Sequence, residues 1–236
     1  AFNLPCPVSV SYPSLPISTE LNSIIVFIPS GDNVWSADKI KLDNYKHIFH
    51  LAGNKEITLE DPGKNIIDFT KEILASLKEP NKTIFTFTSS CSVYGESSNG
   101  QIDETQKPMP ISAYAQSKLL VEKTIFDFAK KNKMRATVAR IFNAYGTRSR
   151  TSGTYGSVFG VFLAQKLAKK PFTVVGDGNQ TRDFTYVSDV IRAIISAVKS
   201  NKKGQIYNVG SGQSVSVNKI VKLLGNEKIT YIPKRP

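Results

Sequence analysis

Cysteine is nearly missing from this chain: Cys6 and Cys91 are the only two in 236 residues. So few, without a ligand-like spacing around them, exclude a disulfide-stapled scaffold and a cysteine metal site. No apolar run approaches the roughly 18 residues of a membrane-spanning helix. The first residues lack a basic segment followed by an apolar core, the mark of a secretory signal. A cytoplasmic protein is the expectation. Acidic residues are also few, 19 against 31 Lys and Arg, for a net charge of +12. Such a charge raises the question of nucleic acid. The lysines, however, are scattered through helical segments, as at Lys71, Lys78, Lys123, Lys130, Lys131, Lys169 and Lys170. There is no Arg-rich arm, zinc-finger spacing or aromatic RNA-binding signature. The excess reads as a solvated surface around a site for anionic ligands, with neither nucleic acid nor membrane as partner.

Glycine is scarce where a dinucleotide fold needs it most. Gly31 is the only glycine before Gly53. A fold of that kind normally opens with a strand and a glycine-rich turn whose backbone approaches the pyrophosphate. Residues 1–22 instead carry Pro5, Pro7, Pro13 and Pro16, a density that opposes a first βα unit.

From Tyr45 onward, strands and helices alternate as in a parallel α/β sheet. Strands are expected at Tyr45–Leu51, Thr83–Thr88, Met134–Ile141, Phe172–Val175 and Gln205–Val209. Helices are expected at Asn65–Lys78, Tyr114–Lys131, Val158–Leu167, Val187–Val198 and Val217–Leu224. A polar loop with Pro108 and Pro110 covers Gly95–Ser112.

Chemistry concentrates in TSSCSVYG at Thr88–Gly95 and YAQSK at Tyr114–Lys118. On a helix, Tyr114 and Lys118 share a face one turn apart. Tyrosine is a poor base at neutral pH, with a reference pKa of about 10. A nearby Lys⁺ and a positive nicotinamide ring would both favour the phenolate. Lowering the pKa by roughly three units takes about 4 kcal/mol. Ser90, on the loop after the strand, could share the proton or hold a substrate oxygen. A lone YxxxK recurs by chance in helices, where the Tyr packs. Here the order strand, serine run, proline-bearing loop and helix gives it context.

That order resembles the extended short-chain dehydrogenase/reductase family, in its nucleotide-sugar epimerase and dehydratase branch. The resemblance covers most of Asp32 to Arg235. It implies a doubly wound parallel α/β sheet, Rossmann-like, with its first βα unit missing or altered. Residues 1–150 would bind NAD. Residues 151–236 would form a substrate lobe, with some strands returning to the sheet. The chain stops inside a family motif at Lys234-Arg235-Pro236. With the unusual start, the expectation is a protein cut at both ends.

By the same resemblance, Ser90, Tyr114 and Lys118 are the catalytic set, with Lys118 also holding the nicotinamide ribose. HLAGNK places Leu51, Ala52, Gly53 and Lys55 along the cofactor. Asp32 and Asn33 would touch its adenine end, and Phe142 would flank the nicotinamide. Asn65 would join them, although an N-cap role explains it equally well. Ser92 would reach the sugar, Asn143 the diphosphate, and Thr173 and Val175 the base through backbone contacts. Val158 and Phe159 would line the substrate, and Arg182 and Arg235 would bind phosphate oxygens. Asp183 and Asp189 would organise structure, as a partner and a helix cap. No metal is expected. Dehydratases of this branch carry an Asp-Glu pair where Cys91-Ser92 stand, and water elimination needs those carboxylates. The implied activity is therefore NAD-dependent epimerisation of a UDP-sugar at C4 by a homodimer. A UDP-glucuronate decarboxylase, a 4-ketosugar reductase and a non-catalytic nucleotide-binding protein are the alternatives.

Overall fold

The computed structural model describes residues 24–27, 42, 45–51, 64–96, 100–151, 157–200, 202–225 and 228–233. A five-stranded parallel sheet forms its centre, in the order β1-β2-β3-β4-β9. The strands are β1 (Ile24–Phe27), β2 (His47–His50), β3 (Ile84–Ser90), β4 (Arg135–Ile141) and β9 (Gln205–Val209). Buried parallel strands read as near-continuous apolar runs. Ile84–Thr88 shows this, with every residue buried. Strand β1 pairs in parallel with β2, and the proline-bearing residues 1–22 lie outside the described residues.

Helices cover both faces, as the doubly wound class requires. On one face, α1 (Lys64–Ala75) and α2 (Ala113–Asn132) supply Ile66, Ile73, Leu74, Val121 and Ile125. These pack on Ile48, Phe85, Phe87, Ala136 and Val138. On the other face, α4 (Val187–Lys199) sets Val190 and Ile194 against Ala139 and Val209. Side chains alternate faces along a strand. Phe85 and Phe87 therefore predict Ser89 on the α2 side, and Ala136 and Val138 predict Arg140 there. That alternation returns at the site.

A smaller unit holds α3 (Val158–Leu167), β6 (Phe172–Val175), α5 (Val217–Leu224) and β11 (Ile229–Ile232). Its core is Phe162, Phe172, Val174, Val217, Ile220 and Val221. Strand β6 pairs in parallel with β11. Two further small pairings are β7 (Thr181–Asp183) with β10 (Ser214–Ser216) and β5 (Ala144–Tyr145) with β8 (Thr185–Tyr186). Serine caps start three helices by accepting a backbone N–H: Ser112 for α2, Ser157 for α3 and Ser216 for α5. Helix α4 has no such cap. Asp189, expected there as a cap, lies inside its first turn and pairs with Arg192. Likewise Asn65 lies within the first turn of α1, one residue past its start. Among the described residues no helix is long and apolar enough to cross a membrane.

Candidate active site

The C-terminal edge of a parallel sheet is where ligands of this fold class bind. Three expected residues meet there. Ser90 ends β3 and caps the 3-10 turn Cys91–Tyr94. Its Oγ accepts hydrogen bonds from the Ser92 N–H at 3.2 Å and the Ser92 hydroxyl at 3.0 Å. A hydroxyl has two acceptor sites and one proton. With both sites taken by Ser92, the Ser90 proton remains to be donated, and the Tyr114 phenol and the Cys91 thiol are the neighbours whose ionised forms it favours.

Lys118 lies one turn beyond Tyr114 on α2 and is only 4% exposed. Its ammonium donates to the Thr88 carbonyl at 2.8 Å and sits 4.5 Å from the centre of the Phe87 ring. It is 5.9 Å from the Tyr114 ring centre. Burial holds the Tyr114 pKa above its ordinary value; the Ser90 bond opposes the rise, and the nearby Cys91 thiol adds to it. The Lys118 ammonium itself is directed at β3, onto the Thr88 carbonyl.

Cys91 is itself pushed up by burial, against the Asn143 backbone, the Arg182 charge and Ser90. It is a neutral thiol at physiological pH. Gly95 closes the turn at φ 72, and a Cβ there would stand 2.1 Å from the Met109 carbonyl oxygen. The loop before α2 is held against the turn by Met109 N–H donating to the Val93 carbonyl at 3.0 Å.

Asn143 and Phe142 follow β4. The Asn143 amide donates to the Asp183 carbonyl at 2.9 Å. Asp183 is the partner expected of it: its carboxylate accepts from Ser211 N–H, Ser211 hydroxyl and Gly212 N–H, each at 2.8 Å. Arg182 is exposed beside it, with one guanidinium N–H on the Thr181 carbonyl at 2.7 Å. Phe159 at the head of α3 stacks on Tyr145, centroids 4.2 Å apart, and meets Phe184 edge-on. The β6 backbone already has partners: Gln165 accepts from Thr173 N–H at 3.1 Å, and Gln180 donates to the Val175 carbonyl at 2.8 Å. Base contact through those groups would exchange these bonds. Leu51 follows β2, and Val158 opens α3. Asp32, Asn33, Ala52, Gly53, Lys55 and Arg235 lie outside the described residues, as does the side chain of Asn65.

Sequence reasoning missed a buried network beneath the site. Glu122 and Arg140, each 3% exposed, form a two-pronged ion pair at 3.1 and 2.7 Å. Ser89 donates to the same carboxylate at 2.5 Å. The guanidinium carbon lies 4.7 Å from the Tyr94 ring centre, and Tyr94 donates to Asn208 at 2.8 Å. Burial alone would lower the Arg140 pKa, but its bonds to Glu122 and Tyr94 hold it above the ordinary value. A usable signal was present: Glu122 is one turn past Lys118 on the same helical face, and Arg140 interrupts an apolar strand.

A parallel sheet wound on both faces, with Ser, Tyr and Lys at the C-terminal edge of its central strands, defines a short-chain dehydrogenase/reductase type of site. The donor set suits the nicotinamide end of a dinucleotide: a hydroxyl, a phenol and a buried ammonium, with the buried Glu122 carboxylate beneath them neutralised by Arg140. Residues 26–210 match the NAD dependent epimerase/dehydratase family, and the chain belongs to that family. It is 30% identical over 223 residues to an uncharacterized UDP-glucose epimerase of Bacillus subtilis, covering 89% of this chain and 69% of that protein. It superposes with a TM-score of 0.78 and 26% identity on a UDP-N-acetylglucosamine 4-epimerase from Methanobrevibacter ruminantium in complex with UDP-N-acetylmuramic acid, covering 86% of this chain and 69% of that one. A UDP-glucuronic acid 4-epimerase from Bacillus cereus, in complex with UDP-glucuronic acid and NAD, gives a TM-score of 0.71 and 29% identity, covering 83% and 65%. The chain thus spans 65 to 69% of the length of these three proteins.

Proposed function

We propose that this protein is an NAD-dependent epimerase that inverts C4 of a UDP-sugar through a transient 4-keto sugar. The observation that carries this reading is the meeting of Ser90, at the end of β3, with Tyr114 and the buried Lys118 on one face of α2 at the sheet edge. When bound, NAD supplies a reversible hydride acceptor. Tyr114 takes the proton of the 4-hydroxyl and returns it after the sugar has turned. Ser90 steadies the phenolate between those two transfers. Lys118 and Tyr114 hold the nicotinamide ribose, beside Phe142. Leu51, Ala52, Gly53, Lys55 and Asn65 continue the cofactor site, with Asp32 and Asn33 towards adenine. Ser92, Asn143, Arg182 and Arg235 hold the sugar diphosphate. Val158, Phe159, Thr173 and Val175 surround the base.

Residues 1–150 form the cofactor half and 151–236 the substrate lobe in this reading. The separate apolar core around Phe162 and Phe172 supports the division. We place the protein in the cytoplasm as a homodimer joined through α1 and α2, where Leu120 is 47% exposed. Light scattering should give twice the chain mass; a monomer would contradict the dimer.

The test is a panel of UDP-, GDP- and dTDP-sugars followed by proton NMR with added NAD. Conversion of a UDP-sugar to its C4 epimer is expected. A pentose with CO₂ would instead identify a decarboxylase using the same three residues. Net consumption of NADH would identify a reductase. Nucleotide binding without turnover would leave a non-catalytic protein.

A further inference from the structure

We propose that the Glu122–Arg140 pair is a positioning device that sets where Tyr114 and Lys118 stand over the strand carrying Ser90. The inference rests on the epimerase reading above. Tyr114, Lys118 and Glu122 follow at intervals of four on α2, one stripe facing the sheet. Two of them bond β3 directly, Lys118 at the Thr88 carbonyl and Glu122 at the Ser89 hydroxyl, and the Tyr114 phenol stands over the strand end, where Ser90 favours its ionised form.

Apart from Ser117, which bonds within its own helix, the rest of that buried face is apolar, through Ala115, Val121, Ile125 and Ala129. Apolar contact is non-directional, so it sets the distance between helix and sheet but not the helix's height along it. A two-pronged Arg–carboxylate pair has fixed geometry. Here that geometry is tied to three strands at one level. Ser89 is the register partner of Arg140, and Arg140 is the register partner of Asn208. Glu122 bridges the first two, and Tyr94 joins the Arg140 face to Asn208. Ser90 is therefore bracketed, by Ser89 before it and by the Cys91–Tyr94 turn after it. Replacing a buried ion pair with apolar residues of similar volume is often neutral for stability. Stability alone therefore does not explain a directional pair one turn from Lys118.

The test is the paired replacement Glu122→Leu with Arg140→Met in the whole chain. Three quantities are read: the melting temperature, the steady-state constants, and the pH at which Tyr114 ionises. The last is taken by ultraviolet difference against the same protein carrying Tyr114→Phe. Ser90, Cys91 and Lys118 are the polar and charged groups facing that phenol, and the replacement leaves all three in place. The expected result is cooperative melting near the native temperature, a displaced Tyr114 ionisation, and kcat lower by ~10²-fold with KM little changed. A folded variant with native kcat and native Tyr114 ionisation overturns the proposal. Ser89→Ala removes one bond to Glu122 and guards against a variant that fails to fold. It should move kcat and the ionisation in the same direction by less, and no movement would overturn the proposal as well. If the native protein has no epimerase activity, the epimerase reading fails. The Tyr114 titration still decides the positioning claim.

Discussion

Tyr114→Phe is expected to lower turnover by ~10³-fold, the middle of the range for a lost general acid–base group. NAD affinity should fall far less, since Lys118 remains to hold the nicotinamide ribose. The substitution removes one oxygen and keeps the ring, so the packing of α2 stays. What disappears is the phenol whose ionised form Ser90 favours. With no phenolate at hand, the 4-hydroxyl proton has no acceptor of suitable basicity. Binding calorimetry with NAD and a coupled epimer assay check the two halves separately. Retained turnover would remove Tyr114 from the mechanism, and lost cofactor affinity would make its role one of binding. The same geometry carries a pH consequence. Burial raises the Tyr114 pKa, so the phenol is protonated at neutral pH unless cofactor charge is added. Saturating NAD should therefore lower the pH at which the Tyr114 difference spectrum appears.

Acid stability should be governed in large part by His50. The ring is fully buried on the α1/α2 face of β2, against Phe69, Phe85 and Phe87. Thr70 donates its one proton to the Ile66 carbonyl at 2.6 Å. Its oxygen must then accept from His50 Nε2–H, at 2.8 Å, which fixes the neutral tautomer. Burial, then the charge of Lys118, lowers the His50 pKa from 6.5 to about 3. A depressed histidine pKa means that the unfolded chain binds a proton the fold refuses. The stability present above 6.5 is lost as the pH falls from there towards about 3. The folding constant should drop by roughly tenfold per pH unit in that window, or ~3 kcal/mol by about pH 4.5. His50→Gln keeps a donor for Thr70 and removes the titration. Urea unfolding of the two proteins from pH 7 to 4 should show a steep native curve and a flatter variant curve. Parallel curves would contradict the assignment. The link to the site is direct, since a proton on His50 would place a second cation near Lys118.

Elements of the right length and pattern were legible in the sequence. The helices Val158–Leu167 and Val217–Leu224 and the strands Phe172–Val175 and Gln205–Val209 agree to the residue. Both helices begin at a serine cap, and the second ends at Gly225 with φ 67. The strands that escaped notice have two to four residues: Ile24–Phe27, Ala144–Tyr145, Thr181–Asp183, Thr185–Tyr186, Ser214–Ser216 and Ile229–Ile232. No period can be read in segments so short, and several are polar. At the site, Ser90, Tyr114 and Lys118 were legible because their spacing is local to one strand end and one helix face. The Glu122–Arg140 pair was not, because its partners are 18 residues apart on different elements. The direction of the Lys118 ammonium was equally hidden. It depends on a carbonyl of β3, which no side-chain pattern reveals.

The account is tested most directly by following deuterium placed at C4 of UDP-glucose during incubation with the enzyme and NAD. A C4 epimer that keeps its deuterium at C4 is the predicted result, since the hydride leaves and returns at the same carbon while Tyr114 handles only the oxygen-bound proton. Deuterium appearing in water or at another sugar carbon, or no epimer at all, would contradict it.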